Sequence, residues 1–171
     1  MKVILGYTAI SANGMIAKKD DDTNWISKEE WDGFGAMVRK AGNLIVGHRT
    51  YNILTKQEDY VQIKDIRLVA VAHEDFLLVD PRHKIAHSPK EAIELLKDFQ
   101  EIIVCGGGTL NAAFLVENLV DEIYLDIEPI LIGEGIPLFQ GKDFVRNLKL
   151  LGHKKISKNE IRLHYQVLKH G

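Results

Sequence analysis

The chain has 171 residues, 46% of them hydrophobic, which favours one folded domain with a sizeable core and excludes an intrinsically disordered protein. Its 22 Lys and Arg nearly balance 24 Asp and Glu, for a formal charge of -2, so the basic excess of a protein that grips nucleic acid is missing. The single cysteine, Cys105, excludes an internal disulfide and fits a reducing cytoplasm, and no apolar run approaches the roughly 20 residues that span a bilayer.

The N-terminal run MKVILGYTAI carries one lysine and turns polar within a few positions, so it reads as a core strand over 3–10, not as a signal peptide. A long loop over 11–26 follows, with Asn13-Gly14 and the acidic run Asp20-Asp21-Asp22, which reads as solvated. Ser27 opens a helix at capping-box spacing from Glu30. A short buried strand over 44–46 ends at Gly47, and a short helix continues through Tyr51 and Leu54. Another apolar strand covers 68–72 and brings Ala72 and His73 to its end. His83 and His87 fall in the polar connection that follows, as surface residues and not a metal pair.

Ser88-Pro89 with Glu91 starts a helix expected to reach about Phe99. A strand over 102–105 then runs into Gly106-Gly107-Gly108 and a helix over 109–118. Residues 122–128 alternate, with Ile123, Leu125 and Ile127 on one face and Tyr124, Asp126 and Glu128 on the other. Two late runs, around 148–156 and 161–168, have no helix between them and read as an antiparallel pair closing the sheet edge, where a second copy could pair. Nothing divides the chain into repeats or linkers, so residues 1–171 read as one domain. Strands alternating with helices predict an α/β fold with a mostly parallel sheet, in which ligands sit beyond the carboxyl ends of the strands.

Three places carry chemistry. The triple glycine permits a sharp turn and close approach of a ligand to backbone, and the helix start behind it offers unpaired N–H groups to a phosphate. Its spacing is not that of a Rossmann site, because Asn111 stands where the last glycine would be. Gly47-His48-Arg49-Thr50 again follows a strand and offers a hydroxyl and a guanidinium. Two such turns at strand ends suit the two ends of a dinucleotide. Glu30 lies about 40° from Phe34 around a helix that turns about 100° per residue, inside the apolar arc of Phe34, Met37, Val38 and Ala41. A carboxylate among apolar neighbours has a raised pKa and suits a proton donor or a hydrogen-bonding anchor. The competing reading is a cap: the same carboxylate bonded back to the N–H of Ser27. Cys105, ending a buried strand without a His partner, reads as core and not nucleophile.

Taken together, these stretches resemble the dihydrofolate reductase superfamily over almost the whole chain. A-I-S-A-N-G-M-I-A (residues 9–17) is similar to that family's first strand and active-site loop, and Trp25, Glu30 and Phe34 reproduce its spacing of tryptophan, acid and phenylalanine. G-H-R-T-Y (47–51) resembles its cofactor motif, and V-C-G-G-G-T-L (104–110) its glycine turn, which in the family contains a cis Gly–Gly bond and meets the NADPH pyrophosphate. The segment LVDEIYLDIEPILIGEGIPLF (119–139) resembles the reductase domain of the riboflavin-pathway deaminase–reductase and its stand-alone relatives. Two departures accompany the likeness. NILTKQEDYVQ (52–62) lacks the D-P-x-L-T-x-R stretch of the riboflavin enzymes, and Asp65 lies near the place where the folate enzymes put an arginine.

The resemblance implies a three-layer fold with helices on both faces of the sheet, and an NADPH-dependent reductase acting on a small pterin or aminopyrimidine. Dihydrofolate is the first expectation, a riboflavin-pathway ribosylaminouracil phosphate the second, and a dinucleotide-binding module without catalysis the third. By the same resemblance, Glu30 is catalytic, with Trp25 and Asp126 in support. Tyr7, Ala9, Trp31, Phe34, Leu54 and Cys105 surround the substrate ring. The cofactor meets Ala9, Ile16, Gly47, His48, Arg49, Thr50, Ala72 and His73, and the turn from Gly106 through Gly107, Gly108, Thr109 and Leu110 to Asn111. No metal and no nucleic acid are implied. The expected state is a cytoplasmic monomer or homodimer.

Overall fold

The computed structural model describes residues 1–169. Six strands run parallel in the order β5 (Lys84–Ala86), β4 (Arg67–Val71), β3 (Asn43–Gly47), β6 (Glu101–Val104), β1 (Lys2–Ser11) and β7 (Glu122–Glu128). The same sheet is completed by β10 (Ile161–Val167), antiparallel to β7, and by β9 (Leu148–Lys155), antiparallel to β10. The late pair therefore closes the edge as expected, and β9 exposes Leu148, Leu150 and Leu151. Two further short strands form a small antiparallel sheet of their own: β2 (Met15–Lys18), inside the expected loop over 11–26, and β8 (Gly135–Pro137). Among the described residues, no helix is long and apolar enough to cross a membrane.

Alternation along the buried strands assigns side chains to the two layers. Val3, Leu5, Ile45, Val69, Ile102 and Val104 pack with Ala92, Phe114 and Leu115, on the side of α3 (Pro89–Glu94) and α4 (Gly108–Val116). Their neighbours Ile4, Leu44, Val46, Leu68, Ala70 and Ile103 pack with Phe34, Val38, Tyr51 and Leu54, on the side of α1 (Lys28–Ala41) and α2 (His48–Leu54). Each α/β face buries its own apolar set, so both helix layers are tied to the sheet by the hydrophobic effect.

β1 changes parity midway. Ile4 faces the α1 layer, yet Ile10, an even number of residues later, faces the α3 layer. The reason is a bulge: the β1–β7 register slips between Leu5 and Thr8, and Tyr7 adopts a left-handed φ of 35°. The slip turns the Tyr7 ring toward the α1 side.

Several boundaries differ from expectation. The helix begun by Ser88 ends at Glu94, and Leu96 and Phe99 continue only in tighter i→i-3 turns. His83 is not at the surface: it is 2% exposed, with Nδ1 2.8 Å from the Tyr51 hydroxyl and Nε2 3.0 Å from that of Tyr60. The Tyr51 oxygen also accepts the Val79 N–H at 3.0 Å, so the Val79 amide, the Tyr51 hydroxyl, the His83 ring and the Tyr60 hydroxyl form one hydrogen-bonded chain. Burial lowers the His83 pKa and keeps the ring neutral.

Candidate active site

The carboxyl ends of β1, β3, β4 and β6 open into one cleft of about 960 Å³, within the usual range of small-molecule sites. Its wall contains Tyr7, Ala9, Ile16, Glu30, Trp31, Phe34, Leu54 and Cys105. The same wall contains Gly47, His48, Arg49, Thr50, Ala72, His73 and the whole turn from Gly106 to Asn111. Segments far apart in sequence thus meet in one place. Two expected residues are not on it. Trp25 donates its Nε1–H to the Asp22 carbonyl 3.1 Å away, a partner inside its own loop that holds the indole off the cleft wall. Asp126 is 1% exposed and lies behind the wall, not on it.

The two glycine-bearing turns touch. β3 and β6 are neighbours, so Thr50 packs on Gly106, where a Cβ would stand 2.9 Å from Thr50 Cγ2. Gly107 has a φ of 62°, a conformation that side chains resist. Gly108 is small for a different reason: a Cβ there would lie 2.4 Å from the Pro137 carbonyl oxygen of β8. Among the described residues no peptide bond is cis, so the turn is made by positive φ and not by the cis bond the resemblance implied. α4 begins on Gly107 with no side-chain cap, leaving first-turn N–H groups free toward the cleft. Beside them, the buried Oδ1 of Asn111 has no hydrogen-bond partner, while its Nδ2 donates to the Leu138 carbonyl at 3.1 Å.

Glu30 is 2% exposed, and the capping question is settled by a second carboxylate. Ser27 Oγ accepts the Glu30 N–H at 3.0 Å, as a helix cap should. The reciprocal bond is made elsewhere: the Ser27 N–H donates to Glu128 Oε1 at 2.8 Å. Glu128 thus relieves Glu30 of the capping duty and leaves its carboxyl facing the cleft. Burial holds the Glu30 pKa well above the usual carboxylate range, and the charges of Asp126, Glu128 and Glu160 add to this. Only Arg162 opposes them.

Arg162 escaped the sequence reading. Its Nε and Nη2 donate to the two oxygens of Asp126 at 2.7 and 2.5 Å, and its Cζ lies 3.4 Å from the centre of the Tyr7 ring. The bulge at Tyr7 places the ring there, and the antiparallel register sets Arg162 opposite Asp126. That cross-strand pairing was the one available signal, because opposite charges on facing strands attract. Asp21 was also misread as solvated: its Oδ2 accepts Arg49 Nε at 2.9 Å and also Arg49 Nη2. Burial and the Glu30 charge push the Cys105 thiol up to about 12, so it remains protonated and is no nucleophile at neutral pH.

This sheet order, with α1's acid facing a cleft between two glycine-bearing turns, defines a dihydrofolate reductase-like reductase fold. The chain belongs to the family described as RibD C-terminal domain, which matches residues 52–161. It is 28% identical to the uncharacterized protein YwjB of Bacillus subtilis (strain 168), over 93% of this chain and 94% of that one. A Shewanella sp. PV-4 protein assigned to riboflavin biosynthesis superposes with a TM-score of 0.81 at 21% identity, covering 99% of this chain and all of the other (100%). The Thermotoga maritima diaminohydroxyphosphoribosylaminopyrimidine deaminase/5-amino-6-(5-phosphoribosylamino)uracil reductase superposes at 0.72 with 16% identity, over 98% of this chain but 56% of the larger enzyme.

Proposed function

We propose that this protein is an NADPH-dependent reductase of the riboflavin-pathway type, acting on an aminopyrimidine or closely related ring. The observation that carries the reading is the single cleft that joins Glu30 to the two touching glycine turns. The family match favours this reading over dihydrofolate, which has only the spacing of Trp25, Glu30 and Phe34 behind it, and Trp25 lies off the cleft wall.

The glycine end suits a dinucleotide. The free N–H groups of α4 and the bare backbone of Gly106 and Gly107 would take the pyrophosphate. The orphaned Oδ1 of Asn111 would accept a hydrogen bond from the cofactor side. Thr50, His48 and His73 would meet the phosphates and adenosine, His48 being fixed by stacking on Phe76 with ring centres 3.9 Å apart. NADPH bound there supplies a hydride.

The acid end supplies the rest of the chemistry. Trp31 and Phe34, 5.5 Å between centroids, with Tyr7 and Leu54, would clamp a flat ring and exclude water from it. With burial holding its pKa well above the usual carboxylate range, Glu30 would donate a proton to the ring or imine nitrogen as the adjacent carbon accepts hydride. Arg162 would act through Glu30: held by Asp126 and Tyr7, it keeps that pKa from rising further.

The test is NADPH oxidation followed side by side with a ribosylaminouracil and with dihydrofolate. Oxidation with the aminouracil supports the proposal. Turnover of dihydrofolate alone restores the folate reading, and no NADPH binding at all leaves a protein without this activity.

A further inference from the structure

We propose that His48 and His73 read the 2′-phosphate that distinguishes NADPH from NADH, so that the preference for NADPH grows as the medium moves from mildly alkaline to mildly acidic. The inference rests on the reductase reading and assigns the cofactor choice of that same site.

The sheet order sets the line along which a dinucleotide would lie. Each histidine of the cleft wall stands just past the carboxyl end of a parallel strand, His87 after β5, His73 after β4 and His48 after β3. The next strand, β6, carries the glycine turn, and β1 beyond it carries Tyr7 and Ala9. Neighbouring strands lie about 4.8 Å apart, so β5 stands roughly 14 Å from β6. With the pyrophosphate at the glycine turn and the nicotinamide toward β1, the adenosine runs out over β3, β4 and β5. Its 2′-phosphate therefore falls among the histidines.

Five basic side chains line the cleft, and three of them already face a carboxylate. Lys19 is held by Glu134 at 2.9 Å, Arg49 by Asp21, and His87 Nε2 by Asp75 at 3.4 Å. Lys56, past the end of α2, and Lys90, held by Glu117 at 3.6 Å, are not on the wall. His48 and His73 are exposed and have no carboxylate within ion-pair distance among the described residues. His48 lies flat against Phe76, which fixes its ring and leaves the ring edge to a ligand. The acids of this end are Glu74 and Asp75, next to His73 in the chain, Asp21 beside Arg49, and Glu91, whose carboxylate accepts the His87 N–H at 2.7 Å. While both imidazoles are neutral, a phosphate dianion meets no free cation here, and Glu74 and Asp75 repel it. Histidine gains its charge between about pH 8 and pH 5. The phosphate keeps its second charge down to about pH 6. Between these limits the protein changes sign and the ligand does not.

The test titrates NADPH and NADH into the protein by fluorescence at about pH 6.5 and about pH 8.5, in the same low-salt buffer. The ratio of the two dissociation constants cancels any pH effect that both cofactors share. The preference for NADPH is expected to be at least about fivefold larger at the lower pH. The double variant H48Q/H73Q, changed only at exposed positions, is expected to lose that difference. A ratio equal at the two pH values, or a difference that survives in H48Q/H73Q, overturns the proposal. So does a preference that ignores pH and vanishes in R49Q, which assigns the phosphate to Arg49. Failure of both cofactors to bind at either pH is a separate result: it removes the reductase reading and the proposal with it.

Discussion

Arg49 of α2 gives two N–H bonds to a single oxygen of Asp21, in the connection between β2 and α1, and so ties loop to helix at the cleft wall. The guanidinium that the sequence reading assigned to a phosphate is therefore held by a carboxylate. The pair is surface-exposed on the arginine side, and exposed pairs are worth up to about 1 kcal/mol. D21N is accordingly expected to bind NADPH about two- to fivefold more tightly at low salt, measured by fluorescence titration. Unchanged or weaker binding would show that Arg49 serves the loop and not the cofactor.

Glu30→Gln removes the proposed proton donor and leaves the glycine turns intact. Turnover is expected to fall by roughly a hundredfold or more, with NADPH affinity within about twofold of the parent. A stability signature accompanies it. The folded pKa of Glu30 lies above its unfolded value, so the native state binds the extra proton, and stability present below about pH 4.5 is lost as pH rises through the folded pKa. E30Q lacks this loss. Its melting temperature should exceed that of the parent near neutral pH by roughly 3–6 °C and approach it in acid, a difference that thermal scans over a pH series would reveal or refute.

Arg162 and Asp126 form a buried pair, and removing one partner strands the other. R162Q is expected to cost about 3–5 kcal/mol of stability in urea unfolding, and the double variant R162Q/D126N markedly less. R162Q should also move the high-pH limb of the activity profile upward, because the one charge that lowers the Glu30 pKa is gone. Simple additivity of the two substitutions would mean that the pair is not coupled.

His83 offers a prediction away from the cleft. Its folded pKa lies below 6.5, so the unfolded chain takes up the proton first and native stability falls as pH drops from about 6.5 toward the folded value. H83Q should be less stable at pH 7 by about 1–3 kcal/mol, since the Tyr51 and Tyr60 hydroxyls lose their shared partner. It should also lack the parent's decline between pH 6.5 and mild acid, as denaturation at several pH values would show.

Much of this was legible in the sequence, for reasons that differ by residue. Ser27, Ser88 and the strand runs announce themselves because caps and alternation are local. The cleft residues of the two glycine turns were readable because turn, glycine and helix start are adjacent in the chain. What stayed hidden depends on partners far away. Glu128 reaches Ser27 across 101 positions and Arg162 reaches Asp126 across 36, and no local pattern encodes either. The bulge at Tyr7 is invisible for a related reason, since it exists only in the register with β7. Trp25 fits its spacing yet turns away, because spacing fixes position along the chain and not the direction of a ring.

The bond from the Ser27 N–H to Glu128 gives the molecule a division of labour between two acids. A chain that lost Glu128 would keep every cleft residue in its sequence. Its Glu30 would nevertheless be recruited to the vacant amide at the helix start, the duty that a capping box assigns to it. On the reductase reading such a protein would fold, bind NADPH and fall silent, and an inventory of its cleft residues would give no hint of the cause.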